Sequence, residues 1–110
     1  MEYINYYHWL CKDAARITHA TSLAQRNNLV NDLLNTTPDY ICGIRLWQQS
    51  TNKRFRKQAT TTLKYLYKLI ACERKMAAGT IEYYQGCGRA YLICTKIERS
   101  NADFCKQQGE

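Results

Sequence analysis

Five lysines fall on one line if residues 52–78 form a single helix, and no other feature of the sequence constrains the fold as much. At about 100° per residue they occupy a strip only about 60° wide. We call this set the lysine strip: Lys53, Lys57, Lys64, Lys68 and Lys75. The opposite side of the same helix carries residues suited to a core: Phe55, Ala59, Leu63, Leu66, Ile70 and Ala77. This separation predicts a long amphipathic helix that buries one side, with Gly79 as its end.

The first third of the chain also shows a helical seam, in which apolar residues step by three and four: Tyr3, Tyr7, Leu10, Ala14, Ile17, Thr21 and Ala24. Ser22 and Gln25 match a capping box, which would start a new helix with an apolar side at Leu23, Val30, Leu33 and Leu34. Whether residues 2–35 form one helix or two stays open. Pro38 after Thr37 indicates a further boundary, followed by a helix over 38–48 that contains Gly43.

The last third allows two structures. Residues 80–85 and 89–97 are rich in β-branched and aromatic side chains and flank Gly86-Cys87-Gly88, which is typical of a hairpin. The competing interpretation, slightly favoured, is a helix over 89–99 with Tyr91, Cys94 and Ile97 as its stripe. Ser100 would then start a last short helix ending near residue 108. We therefore expect one mainly α-helical domain over residues 1–110, a bundle of four to five helices with a possible C-terminal β-hairpin at 80–97.

Charge indicates the kind of partner. The 110 residues include 16 Lys plus Arg against nine Asp plus Glu, a net charge of +7, so polyanions should be attracted. Four cations crowd the start of the long helix, where the helix dipole is already positive: Lys53, Arg54, Arg56 and Lys57. Each is mildly unfavourable there, and an anion docked at that end would reverse the cost. The simpler interpretation is that these cations only solvate one side of the helix.

Polar and aromatic side chains near this cluster extend the candidate site. Gln49, Ser50 and Asn52 precede the helix and are able to hydrogen-bond phosphates or base edges. A helix, a short polar turn and a second helix with a cationic start also form the outline of a helix-turn-helix. Tyr65 and Tyr67 flank the apolar side of the helix and are candidates for base stacking or for anchoring a protein partner, as is Trp47 in the second role.

Little in the chain points to catalysis or metal binding. The sequence contains no phosphate loop, nucleophile elbow or HExxH motif, and its two histidines are His8 and His19. His8 and Cys11 lie one helical turn apart, but the other cysteines are not spaced like those of a zinc knuckle or ribbon. We expect no enzyme activity, no cofactor and no metal. Residues 1–8 lack the features of a signal peptide, so we expect a cytoplasmic protein with six reduced thiols.

Two functions remain open. In the first, the protein binds the nucleic-acid backbone through the lysine strip with Arg54 and Arg56. In the second, it is a non-enzymatic inhibitor or adaptor whose basic side docks on an acidic surface of a larger, nucleic-acid-handling protein. The short, basic, cysteine- and tyrosine-containing character resembles small accessory proteins of phages and mobile elements, although no defined motif is shared. If the chain comes from a virus or mobile element, the expected cytoplasm is that of the host. No stretch is long and apolar enough to predict a membrane span.

Overall fold

The computed structural model of the chain describes residues 2–107, and side chains within residues 6–106. This part of the chain is mainly helical and contains no strand. Its elements are α1 (Glu2–Thr18), α2 (Leu23–Arg45), a 3-10 helix (Leu46–Gln49), α3 (Lys53–Ala77) and α4 (Tyr83–Gln107). The predicted mainly α-helical class is confirmed, whereas the predicted division of the chain into helices is wrong at two places described below.

The four α-helices are arranged as a ring. Each helix packs against its neighbours in the order α1, α2, α3, α4 and back to α1, with a smaller contact between α2 and α4. Consequently α1 and α3 occupy opposite corners of the bundle. Aromatic residues from three elements close one end of the core, where Phe104 lies 5.0 Å from the Tyr7 ring and 5.2 Å from the Phe55 ring.

The capping box at the start of α2 shows that the first 45 residues form two helices. The Ser22 hydroxyl accepts a hydrogen bond from the Gln25 backbone N–H at 3.1 Å, and the Gln25 side chain accepts one from the Thr21 N–H at 2.9 Å. The predicted seam of α1 is buried at Tyr7, Leu10, Ala14 and Ile17. Its continuation was wrong, because Thr21 and Ala24 are exposed around the new helix start. Of the apolar side predicted for α2, Val30, Leu33 and Leu34 are buried, whereas Leu23 is exposed. Tyr3 lies outside the described side chains.

The boundary predicted at Pro38 is wrong, because α2 continues through this residue. A proline inside a helix costs about 3 kcal/mol since it lacks the backbone N–H. Burial on both sides offsets this cost: Leu33 and Leu34 precede the proline, and Tyr40 and Ile44 follow it in the core. The Thr37 hydroxyl also donates to the Leu33 carbonyl at 2.8 Å, which adds a hydrogen bond in the turn that precedes the proline.

The long amphipathic helix predicted within residues 52–78 is confirmed as α3, which is observed at Lys53–Ala77. Gly79 ends it with φ of 73°, and the N–H of Thr80 donates to the Lys75 carbonyl, which forms a Schellman motif. The buried set was only partly right: Leu63 and Leu66 are buried, but Ile70 is half-buried and Ala77 is exposed. The residues that α3 buries are Ala59, Thr62, Leu63, Leu66, Leu69 and Cys72.

Helix α4 replaces both the possible hairpin and the predicted last short helix. Its buried positions alternate steps of three and four over nearly five turns: Cys87, Ala90, Cys94, Ile97, Asn101 and Phe104. Such heptad spacing packs one side of a continuous helix against its neighbours. Gly86 is buried because the Met76 side chain of α3 occupies the space that a Cβ would take. The glycines that suggested a turn therefore lie inside a helix, and residue 108 lies outside the described part.

Candidate functional site

The start of α3 is held by polar groups of the segment before it. The Asn52 side chain accepts a hydrogen bond from the Arg54 N–H at 2.9 Å, and the Ser50 hydroxyl accepts one from the Asn52 N–H at 3.1 Å. The Arg56 guanidinium donates to the Ser50 carbonyl at 2.8 Å. Two of the predicted polar contact residues are thus engaged in capping the helix. They fix the direction in which the first cations of α3 project.

All five residues of the lysine strip are exposed, as the sequence predicted. Arg54 and Arg56 are exposed beside them, and so is Arg74. Of the twelve exposed positions of α3, eight are cationic and none is acidic. We call this set the basic face: Lys53, Arg54, Arg56, Lys57, Lys64, Lys68, Arg74 and Lys75. The one carboxylate of α3, Glu73, is half-buried on another side of the helix.

Sequence reasoning missed Arg74, a member of the basic face, and Thr60, an exposed residue beside it. Thr60 and Arg74 project at the edge of the same sector as the lysine strip, at about 340° and 300° on a wheel that starts at Lys53. Their positions on the helical wheel could be read from the sequence, but the predicted strip included only lysines. Arg74 extends the basic face toward its C-terminal end, where a cation is favourable with respect to the helix dipole.

The N-terminal part of the basic face forms a pocket of about 420 Å³. We call it the basic pocket, and its lining is Gln48, Lys53, Arg56, Lys57 and Thr60. Three cations, an amide and a hydroxyl surround it, and no acidic side chain lines it. Such a lining supplies donors to an anion, and the nearby first turn of α3 adds positive electrostatic potential. Chemically the pocket suits a phosphate or a carboxylate.

The other predicted polar residues lie on a different surface. Gln49, Ser50 and Asn52 line a separate groove of about 540 Å³ whose remaining walls include the apolar side chains of Leu46 and Phe55. The predicted site is therefore divided between two surfaces. The cations lie along α3, whereas Gln49, Ser50 and Asn52 line the groove beside the start of that helix. Of the polar residues that precede α3, only Gln48 lines the basic pocket.

The three aromatic candidates differ in exposure. Tyr67 is 50% exposed within the basic face, so its ring is available to a partner. Tyr65 is half-buried, and the Lys68 ammonium lies 5.9 Å from the centre of its ring, a cation–π contact. Trp47 was predicted as an anchor, but it is buried, and its ring lies 4.5 Å from that of Phe55. Because Trp47 fills the core, it is withdrawn as a contact residue.

The described residues provide no metal-binding cluster of three or more His, Cys, Asp or Glu side chains. His8 is exposed, while the Cys11 thiol lies 3.8 Å from the Glu98 carbonyl, and burial together with Glu98 raises the pKa of Cys11. All six cysteines are free in the structure, and four of them lie in the core: Cys72, Cys87, Cys94 and Cys105.

Along the described part of the chain, none of the helices combines the length and the apolarity needed to cross a bilayer. Comparison with protein-family models, with curated proteins and with solved structures finds no match to this chain.

Proposed function

We propose that this protein binds the sugar-phosphate backbone of nucleic acid through the basic face of α3, without catalysing a reaction. The observation that carries this proposal is the composition of the exposed side of α3, where eight of twelve positions are cationic and none is acidic. A surface that only needed solvation would be expected to mix both signs of charge. Here a field of one sign extends along a whole helix, which attracts and holds a polyanion.

The dimensions of the basic face suit a duplex. From Lys53 to Lys75 the helix rises about 33 Å, and one turn of duplex is about 34–36 Å long. Lysines spaced along the side of α3 would contact successive phosphates, while the basic pocket would hold one phosphate between Lys53, Arg56 and Lys57. These contacts are made to the backbone, so we expect affinity with little dependence on base sequence.

Electrostatics at the start of α3 supports the same proposal. Lys53 and Arg54 occupy the first turn, which contains no acidic residue, although acids would stabilise the helix there. Each cation in this position costs the free protein a few tenths to about 1 kcal/mol. A bound phosphate would convert these repulsions into attractions. The unfavourable electrostatic energy at the start of α3 in the free protein is therefore removed when a phosphate binds.

One observation favours a second candidate function, an inhibitor or adaptor that docks its basic face on an acidic protein surface. Tyr67 exposes half of its side chain among the cations. An exposed aromatic surrounded by arginine and lysine is typical of an interface anchor, because it buries a large area on binding. In this case the acidic surface would belong to a protein that itself handles nucleic acid. For either function we propose the cytoplasm as the location, that of the host if the protein is viral.

Capture from cells, with and without nuclease, separates these functions. We compare the wild type with a strip variant (Lys57→Gln, Lys64→Gln and Lys68→Gln) and with an α4 control (Lys96→Gln, Arg99→Gln and Lys106→Gln). Both sets are exposed and both remove three positive charges. Backbone binding predicts that nuclease releases the captured material, and that the strip variant captures less than the α4 control. A protein that stays bound in equal amount after nuclease, and is lost in the strip variant, would instead establish the adaptor function.

A further inference from the structure

A cavity lies between α1 and α2, away from the basic face. It has a volume of about 620 Å³, within the range of small-molecule sites. Since α1 and α3 stand at opposite corners of the bundle, the cavity and the basic face belong to different sides of the protein. We call it the aromatic cavity, because the rings of Tyr6, Trp9 and Tyr40 contribute to its walls.

The three rings form an ordered platform. Tyr6 meets Trp9 edge to face, with ring centres 5.5 Å apart and an interplanar angle of 70°. It meets Tyr40 in the same way, at 6.3 Å and 83°. Tyr40 is buried, whereas Trp9 exposes 51% of its side chain although it is one of the largest apolar groups in the protein. One wall of the cavity therefore presents an indole surface that a planar ligand can cover.

Gly43 fixes the position of this platform. A Cβ at residue 43 would lie 2.5 Å from atoms of the Tyr6 ring, so the ring rests directly on the backbone of α2. Glycine in the middle of a helix costs about 1 kcal/mol relative to alanine. The close approach of Tyr6 explains why this position is a glycine. The absence of a side chain at Gly43 lets the Tyr6 ring occupy its place in the wall of the cavity.

Charged side chains surround the platform in two groups. Lys12 and Arg16 are exposed one turn apart on α1 and supply donors to an anion. Across the cavity, the exposed Asp39 carboxylate of α2 supplies an acceptor. Among the described residues, no ion pair within 4.0 Å joins Lys12 or Arg16 to a carboxylate. The cations and the acceptor are thus both available to a ligand.

The other acidic group of the cavity is already engaged. The Tyr40 hydroxyl donates to the Asp13 carboxylate, and burial followed by this hydrogen bond raises the pKa of Tyr40. Asp13 therefore serves to orient Tyr40. The Asp13 carboxylate keeps its negative charge in this hydrogen bond, so the lining carries two cations and two carboxylates, a mixed set that suits a ligand with both an anionic group and hydrogen-bond donors.

We propose that the aromatic cavity binds a nucleotide unit, with its base stacked on Trp9 and its phosphate paired with Lys12 and Arg16. Asp39 then accepts a hydrogen bond from an amino group of the base or from a sugar hydroxyl. This inference goes beyond the proposed function, because it concerns a separate surface and a planar base rather than a duplex backbone. The nucleotide unit comes either from a free mononucleotide or from an unpaired position of a single strand.

Titration followed by backbone-amide and indole NMR shifts tests the proposal. The probes are adenosine monophosphate, ribose 5-phosphate and a short single strand of adenylate, each added to the full chain. We expect at least one of the two adenine-containing probes to shift signals around Trp9, Lys12 and Arg16. Trp9→Ala should weaken that binding about 10-fold, the order of one lost stacking contact. Binding by the monophosphate alone identifies a free nucleotide as the source, and binding by the strand alone identifies an unpaired base.

Variants of the two cations and of the lysine strip serve as controls. Lys12→Gln with Arg16→Gln should weaken binding about 10-fold or more, while the strip variant should leave it unchanged. Ribose 5-phosphate should bind at least about 10-fold more weakly than the adenine-containing probe. Equal binding of ribose 5-phosphate would show a simple anion site and overturn the proposal. The same holds for undiminished binding by Trp9→Ala in a protein with an unchanged spectrum, for equal loss in the strip variant, and for the absence of shifts at this cavity with every probe.

Discussion

At the scale of single residues, Gly43 is unfavourable for its own helix and is explained by a contact with another helix. The sequence indicates only a glycine inside a helix, which weakens it. The structure places the Tyr6 ring where a side chain at 43 would lie. No local pattern could have predicted this contact, because residues 6 and 43 belong to different helices.

We predict that Gly43→Ala destabilises the protein although alanine is the better helix former. The gain in helix propensity, up to about 1 kcal/mol, is outweighed by overpacking against Tyr6, typically about 1–3 kcal/mol. Gly88→Ala is the matched control, because nothing lies within 4 Å of a Cβ there and α4 should become more stable. Chemical denaturation measures both changes. Equal stabilisation by the two substitutions would refute the close approach of Tyr6.

The six thiols should differ sharply in reactivity while the protein is folded. Cys42 is exposed, whereas Cys94 lies in the core, where burial raises its pKa to about 12. Only the thiolate reacts readily, so at pH 8 we expect Cys42 to be alkylated first and Cys94 to stay protected until unfolding. Mass spectrometry of material kept from air should count six free thiols after denaturation without reductant. Fewer than six, or rapid labelling of Cys94 in the native state, would contradict this account.

At the scale of elements, the spacing of apolar residues predicted helices well and their boundaries less well. The seam of α1 and the two sides of α3 follow directly from the sequence, because each helix buries one side. Alternating steps of three and four from Cys87 to Phe104 also identify α4, and the two glycines beside Cys87 obscured that signal. Leu69 rather than Ile70 is buried because a heptad-spaced stripe drifts around a helix of 3.6 residues per turn.

A buried polar cluster joins α3 to α4, and we predict that it stabilises their pairing. The Thr62 hydroxyl donates to the Asn101 side-chain oxygen at 3.0 Å, and the Gln58 amide donates to the same oxygen at 3.0 Å. Thr62→Val keeps the shape but removes one donor, so it should lower the free energy of unfolding by about 1–2 kcal/mol. Thr60→Val, on the exposed side of the same helix, should change it by less than about 0.5 kcal/mol. A Thr62→Val cost no larger than that of Thr60→Val would show that the cluster contributes nothing.

At the scale of the whole molecule, the ring of four helices separates two surfaces with different character. The molecule measures 42 × 28 × 18 Å, with α3 at one corner and α1 at the opposite one. The basic face follows from α3 alone, so its lysine strip could be predicted from the sequence. The basic pocket needs Gln48 from the preceding element, and the aromatic cavity needs α1 and α2 together. The periodicity of a single helix could not predict these two sites, because each combines residues from different elements.

The central claim is that the basic face, and not net charge alone, binds the nucleic-acid backbone. The most direct test is the salt dependence of duplex affinity, measured for the wild type, the strip variant and the α4 control. The logarithm of the association constant should fall linearly with that of the salt concentration, with a slope of about 0.9 per phosphate neutralised. We predict that the strip variant reduces this slope by about 2.7, while the α4 control leaves it nearly unchanged. Equal slopes for the two variants, which carry the same net charge, would contradict the account.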